Sequence, residues 1–302
     1  MHVHAEAKPL EAPLKGGGAR SVVVEPLLSG ELSLPGGFFD GAGGRFEPAR
    51  SLGLLGMGGA RTVVPVYSFL ITHPSAGPIL VDAGLHPSVA AAPAANLGRG
   101  IAWFSHASVT GGEDLGYRLR SKGVEPSEIR TLIMTHLHYE RASGIAQFER
   151  ATIVVSAEEW KVALHPHRSL LPRPYRTDQL NYLFDYRTVD FSGPGVSSYA
   201  NFGRTVDLFG DGSIHLAHTP GHTPGHLSVI CRLRDRDFVI AGDAVLDRAA
   251  LRGRSEPPAQ ADPHNWRRSQ RELQRFGERY PNAVIVPGLD PLNRTELAER
   301  YE

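Results

Sequence analysis

An α/β fold is what this 302-residue chain predicts. Short apolar runs rich in branched residues recur along it, each bounded by Gly, Pro, Asp or Asn, as buried strands are. Amphipathic helical stretches fall between some of these runs. No internal repeat or linker divides the sequence. The simplest organisation is therefore a flexible N-terminal arm over 1–20 followed by a single domain over 21–302.

The expected strands are 22–24, 63–71, 79–81, 132–134, 153–155, 214–217, 227–230, 238–241 and 284–286. Pro65 removes a ladder donor from the second of these and predicts an edge or a bulge there. Ser156 and Glu159 have the spacing of a capping box opening the stretch Ala157 to Leu164. Leu115 and Leu119 mark a short helix that ends near Gly123, a residue suited to the position just past a helix. Trp266, Leu273, Phe276 and Tyr280 form one stripe of a longer helix with Arg and Glu opposite, a face suited to packing on a sheet. Residues 165–212 are rich in Pro, Tyr, Phe and Arg with little periodicity, and so long an irregular segment reads as a lid or pocket segment.

Composition narrows the function. Hydrophobic residues make up 41% of the chain and charged ones 21%, as in ordinary globular proteins. Lys+Arg and Asp+Glu both number 32, so the basic excess of a nucleic-acid binder is absent. No apolar run approaches the ~18–20 residues of a membrane span, and the first twenty residues have no apolar signal core. The one cysteine, Cys231, lies in an apolar run and has no intramolecular partner for a disulfide. A cytoplasmic protein is expected, acting on a small-molecule substrate or ligand; a homodimer is left open.

Two segments carry the chemistry. In the first, an apolar strand runs into Thr135-His136-Leu137-His138-Tyr139-Glu140-Arg141, and two imidazoles one residue apart point to one side of a strand end. In the second, Thr219-Pro220-Gly221-His222-Thr223-Pro224-Gly225-His226, glycines and prolines hold a tight loop that fixes an imidazole direction. Neutral imidazoles suit zinc or iron, and three of them with one open position are the ligand set of a catalytic zinc site. A His pair alone is a weak signal. The pair with the later loop and with Gly242-Asp243 after an apolar strand is a strong one.

With the strand and turn from Ile79 to Asp82 and Gly84 and the last strand running from Val284 to Gly288, these segments resemble the metallo-β-lactamase superfamily. Within it they are similar to the branch of N-acyl-homoserine lactonases and related hydrolases, over about Val63 to Pro291. The resemblance implies a four-layer αββα sandwich with metals at strand ends between the sheets. It places His136, His138 and His222 on metal one and makes Asp243 the carboxylate that bridges to a second metal. The second site departs from the pattern: Glu140 stands for the motif's Asp, Arg141 for its last His, and Leu289 for the final His near the C-terminus. Leucine has no lone pair, and a permanently protonated guanidinium has no acceptor atom. Glu140 adds a methylene that moves its oxygens away from the expected ligand position.

One zinc or iron ion is therefore expected, and a second is not. The resemblance implies hydrolysis of a lactone, ester or similar acyl bond of a small, partly apolar substrate by a metal-held water. Asp243, Arg141 and Glu140 are the catalytic candidates, Asp243 orienting the water or completing the ligand set. Arg141 stands in for metal two by offering donors to a substrate carbonyl or carboxylate. The phenol that several lactonases of this branch carry soon after that Asp is missing from Ala244 to Arg248. The alternative is a pseudoenzyme that binds a ligand or partner on the same fold; redox chemistry at a single iron is a third reading. Asp82 resembles a family carboxylate below the metals that hydrogen-bonds a ligand His, with a plain turn residue as the other reading. His226 reads as loop support, and His86 and His264 as loop or helix-start residues. His165 and His167 read as exposed loop histidines, with replacement of a lost ligand as the other reading, and Trp103, Phe104, Tyr175, Tyr182 and Phe184 as pocket or core aromatics.

Overall fold

A computed structural model describes residues 5–19, 21–39, 51, 53, 59–165, 174–255 and 260–302. Thirteen strands among them form two sheets. The first contains β1 (Ala7–Pro9), β2 (Val23–Pro35), β3 (Arg61–His73), β4 (Gly77–Val81), β5 (Thr131–Ile133), β6 (Thr152–Ser156) and β7 (Asp185–Val189), in the order β1-β7-β6-β5-β4-β3-β2. The second contains β8 (Ser197–Tyr199), β9 (Phe202–Asp207), β10 (Ile214–His218), β11 (Leu227–Arg232), β12 (Asp237–Gly242) and β13 (Val284–Pro287), in the order β13-β12-β11-β10-β9-β8.

Period-two alternation explains the layers. On β3 to β6, Ile71, Ile79, Val81, Ile133 and Val154 face the second sheet and meet Leu216, Val229, Phe238 and Ile240. Their neighbours Leu70, Leu80, Leu132, Ile153 and Val155 face outward, where Leu119 and Trp160 cover them from the helices Leu115–Ser121 and Ala157–Leu164. On the outer face of the second sheet, Ile230, Val239 and Ala241 pack beneath Trp266, Leu273 and Phe276 of the helix Pro263–Arg279. Asp262 caps that helix, accepting from the Asn265 amide at 3.0 Å. The result is the expected four-layer sandwich.

All nine expected strands form, but β2 runs eleven residues beyond the expected 22–24. Pro26 and Gly30 conceal its alternation, and its register against β3 shifts between Leu28 and Gly30. Pro65 pairs opposite Glu31 just past that bulge. It also lies beyond β4, which accompanies β3 only from Phe69 to His73. The residue without an N–H therefore falls where a single neighbouring strand is present.

Two expectations need correction. The arm over 1–20 is not free across its described part: β1 adds in parallel to β7, Leu10 N donates to Thr188 O at 2.8 Å, and Leu14 N donates to Leu208 O at 2.8 Å. The Gly18 and Ala19 amides both donate to Asp211 at 2.8 Å. The segment 165–212 is not an irregular lid either, because it supplies β7, β8 and β9. Its short strands mix polar with apolar residues, so no continuous apolar run announces them. His167 and residues 166–173 lie outside the described residues. No helix among the described residues is long and apolar enough to cross a membrane.

Candidate metal centre

Chain geometry delivers three imidazoles to one point. His136 and His138 follow the end of β5, and His138 occupies the position before the helix Tyr139–Ala142. His222 comes from the loop between β10 and β11. His138 Nδ1 lies 3.1 Å from His222 Nε2, and the His136 and His222 ring centroids are 5.0 Å apart. Glu140 completes the group, with Oε1 3.3 Å from His136 Nε2 and 3.8 Å from His138 Nδ1. One ligand atom from each of His136, His138, Glu140 and His222 lies within 4.8 Å of the others.

Hydrogen bonds behind the rings set their direction. Asp82 accepts from the Thr135 amide at 2.8 Å and from its hydroxyl at 2.9 and 3.0 Å, while the Thr135 oxygen lies 3.2 Å from His136 Nδ1. With the hydroxyl proton on Asp82, His136 Nδ1–H donates to Thr135, and the Nε2 lone pair turns to the cluster. Asp82 thus reaches His136 through Thr135 rather than by the direct bond expected. His222 Nδ1 faces Gln260 Oε1 at 3.3 Å, leaving its Nε2 inward. His226 is committed elsewhere: Nε2 accepts from the Asp243 amide at 3.0 Å, and Nδ1 faces the Thr219 hydroxyl at 3.0 Å. It supports the loop, as its spacing suggested.

Burial, with the neighbouring charged groups, holds the His136, His138 and His226 imidazoles well below the ordinary histidine range. They are neutral at pH 7, the form in which imidazole can donate a lone pair. Burial and the nearby Asp243 push the Glu140 carboxyl up to about 7. This chemistry and spacing fit one cation.

The far side does not fit a second. Arg141, only 2% exposed, fills that space. Its guanidinium donates to Asp243 Oδ1 at 2.6 Å, Gly288 O at 3.0 Å and Tyr67 O at 3.3 Å, and lies 3.8 Å from Asp82. Burial would raise the Asp243 carboxyl, yet Arg141 and the imidazoles hold it well below the carboxylate range. A side chain at Gly288 would overlap Asp243 and crowd Arg141, so glycine is required where the ion pair presses on the backbone.

Three sequence expectations change here. Glu140, expected to miss the ligand position, lies within reach of the histidines, with Oε1 3.3 Å from His136 Nε2. Asp243, expected as fourth ligand, gives one oxygen to Arg141 and keeps Oδ2 at 3.5 Å from His222 Nε2. Arg141 does not line the pocket; its hydrogen bonds run to Asp243 and to two carbonyls beneath it.

Above the cluster opens a pocket of about 200 Å³, with His138, Glu140, His222 and Asp243 at its base. Its walls are apolar: Leu32 and Leu34 from β2, Ile101 and Phe104 from the helix Arg99–Ser105, and Leu289. Leu289, where the second-site histidine is expected, is 2% exposed and packs in the same apolar cluster as Leu32, Phe104 and Tyr139.

Among the other candidates, Tyr175 stands edge-on to His138 with ring centroids 4.7 Å apart. Tyr182 and Phe184 stack on each other against the core outside the first sheet, and Trp103 is exposed. His86 accepts from the Ser88 amide at a helix start, His165 follows the helix Ala157–Leu164, and His264 lies in the first turn of Pro263–Arg279. Cys231 is buried and unpaired. The sequence reading missed Glu159, whose carboxylate accepts from the Leu137 amide at 2.9 Å and the Thr223 hydroxyl at 2.6 Å. Its acidic character within an apolar helix was the available signal, and the capping-box reading absorbed it; Ser156 makes no side-chain cap bond.

A two-sheet sandwich with convergent imidazoles at its strand ends defines a class of metal-dependent hydrolase folds. The chain belongs to the metallo-β-lactamase superfamily, whose model matches residues 61–288. It is 28% identical over 237 residues to the N-acyl homoserine lactonase AttM of Agrobacterium fabrum (strain C58), covering 77% of this chain and 84% of that one. The fold matches that of an N-acyl homoserine lactone hydrolase solved with N-hexanoyl-L-homoserine at its metal centre, with a TM-score of 0.73 at 20% identity over 93% of this chain and 98% of that one. A more distant match is AidC, a dizinc quorum-quenching lactonase, with a TM-score of 0.56 at 13% identity, covering 93% of this chain and 90% of that one.

Proposed function

We propose that this chain is a one-metal hydrolase of a lactone or similar acyl ester carrying an apolar acyl group. The observation that carries the reading is the convergence of His136, His138, His222 and Glu140 within 4.8 Å beneath an apolar pocket, while Arg141 fills the second position. Zinc or iron suits this donor set. A cation held by these residues would polarise a carbonyl oxygen and acidify a water, as a single zinc does.

The chain's own residues do the rest. Leu32, Leu34, Phe104 and Leu289 take the acyl chain and exclude water, which strengthens electrostatic interactions at the base. Arg141 keeps Asp243 ionised and fixed, so that Oδ2 accepts a hydrogen bond and orients a water toward the bound carbonyl. Arg141 is thus a positioning residue here. The lactonase AttM supports the choice of acyl substrate, and the apolar walls support a medium-length chain.

The pseudoenzyme alternative is favoured by one feature, the closure of the second position by Arg141 and Leu289. Metal analysis with a panel of N-acyl homoserine lactones and aryl esters separates the readings. The expected result is about one equivalent of zinc or iron per chain with lactone turnover, both abolished by His136→Ala. About two equivalents would refute the role given to Arg141. Lactone binding without turnover would establish the pseudoenzyme.

A further inference from the structure

Glu159 lies on the helix behind the site and outside the pocket, yet both histidine loops hang from its carboxylate. We propose that Glu159 is the positioning residue that locks the 135–139 and 219–226 loops into one geometry and so sets the spacing of the three imidazoles.

Four donors from three separate segments meet this side chain. Oε1 accepts from the amide of Leu137, the residue between the two histidines, at 2.9 Å and from Tyr175 OH at 3.0 Å. Oε2 accepts from the hydroxyl of Thr223, the residue after His222, at 2.6 Å. The Gly225 amide also bonds to this carboxylate. An ionised carboxyl offers about four lone-pair sites, and these donors use all of them.

The surroundings account for the arrangement. Glu159 is fully buried, and none of the ion pairs found among the described residues involves it. An isolated buried carboxylate is costly, so these hydrogen bonds are what retain it there. The Gly225 α-carbon rests against the Glu159 backbone, where any side chain would collide. The second loop is thus seated on the helix as well as tied to it. Tyr175, held by the same oxygen as Leu137, sets its ring against His138 and limits that imidazole's swing. A small error in either loop would change the 3.1 Å approach of His138 Nδ1 to His222 Nε2.

The role assigned to Glu159 rests on the metal-centre reading above, and two readouts separate the two. In Glu159→Gln, an NH₂ group replaces one acceptor and opposes the donors on that side. Zn²⁺ titration of the metal-free protein against a competing chelator should show about 10–100-fold weaker binding, the usual cost of losing a group that orients ligands. Amide hydrogen exchange of the metal-free protein should show both loops opening faster. Thr223→Val, which removes one donor from one loop, should also speed exchange at Leu137 in the other.

Unchanged zinc affinity in Glu159→Gln would overturn the proposal. So would a Thr223→Val effect confined to 219–226, and this milder variant gives an answer even if Glu159→Gln folds poorly. Wild-type protein that takes up no zinc would refute the metal centre alone, since the exchange measurement needs no metal.

Discussion

Arg141 and Asp243 form a buried ion pair beside the histidine cluster, 2.6 Å apart. The guanidinium sets a permanent positive charge opposite Asp243, and a side chain at Gly288 would collide with the pair. Removing one partner of a buried ion pair leaves an uncompensated charge. Arg141→Leu should therefore destabilise the protein by about 3–5 kcal/mol in urea unfolding, and unchanged stability would show the pair to be dispensable. A second residue-scale effect is pH dependence at His218. Burial, reinforced by Arg204 and Arg268, lowers its pKa to about 4. The unfolded chain then binds a proton near pH 6.5 that the fold refuses, so stability is lost as pH falls from about 6.5 toward 4. The drop in Tm between pH 7 and pH 5 should be smaller in His218→Phe, and an identical drop would exclude this histidine as its source.

At the scale of elements, sequence pattern was informative where a strand is apolar on both faces. The runs at 79–81, 132–134 and 153–155 are buried between the opposite sheet and a helix, and their composition says so. β7, β8 and β9 were hidden because polar residues interrupt their apolar ones at and beside the sheet edges, and β1 because three residues have no readable period. Strand pairing across some 180 positions, as between Ala7 and Tyr186, leaves no local trace. The N-terminal strap has a testable role. Deleting residues 1–14 uncovers the β7 edge and the apolar contacts of Leu10 and Leu14. The truncated protein should melt at a lower temperature and self-associate in size-exclusion chromatography, because open edges invite pairing. A monomer melting as the full chain does would show that β1 contributes nothing.

For the whole molecule, the two sheets bring loops more than eighty residues apart to one end of the sandwich, and Arg141 and Leu289, from two of them, fill the space where the family resemblance expects a second metal. Reopening it therefore needs simultaneous change. Glu140→Asp, Arg141→His and Leu289→His together should raise zinc uptake from about one to about two equivalents per chain, measured by plasma mass spectrometry. Uptake that stays at one would mean that more than these three residues excludes the second ion. Residue type and spacing are local properties, so the strand-rich α/β class, the three imidazoles of the cluster and the presence of Arg141 and Leu289 beside them were legible in the chain. That Glu140 joins the histidines, that Arg141 turns inward to Asp243 and that Glu159 bonds both loops became visible in three dimensions alone. Those outcomes depend on distances between segments far apart in the chain, set by how the two sheets pack.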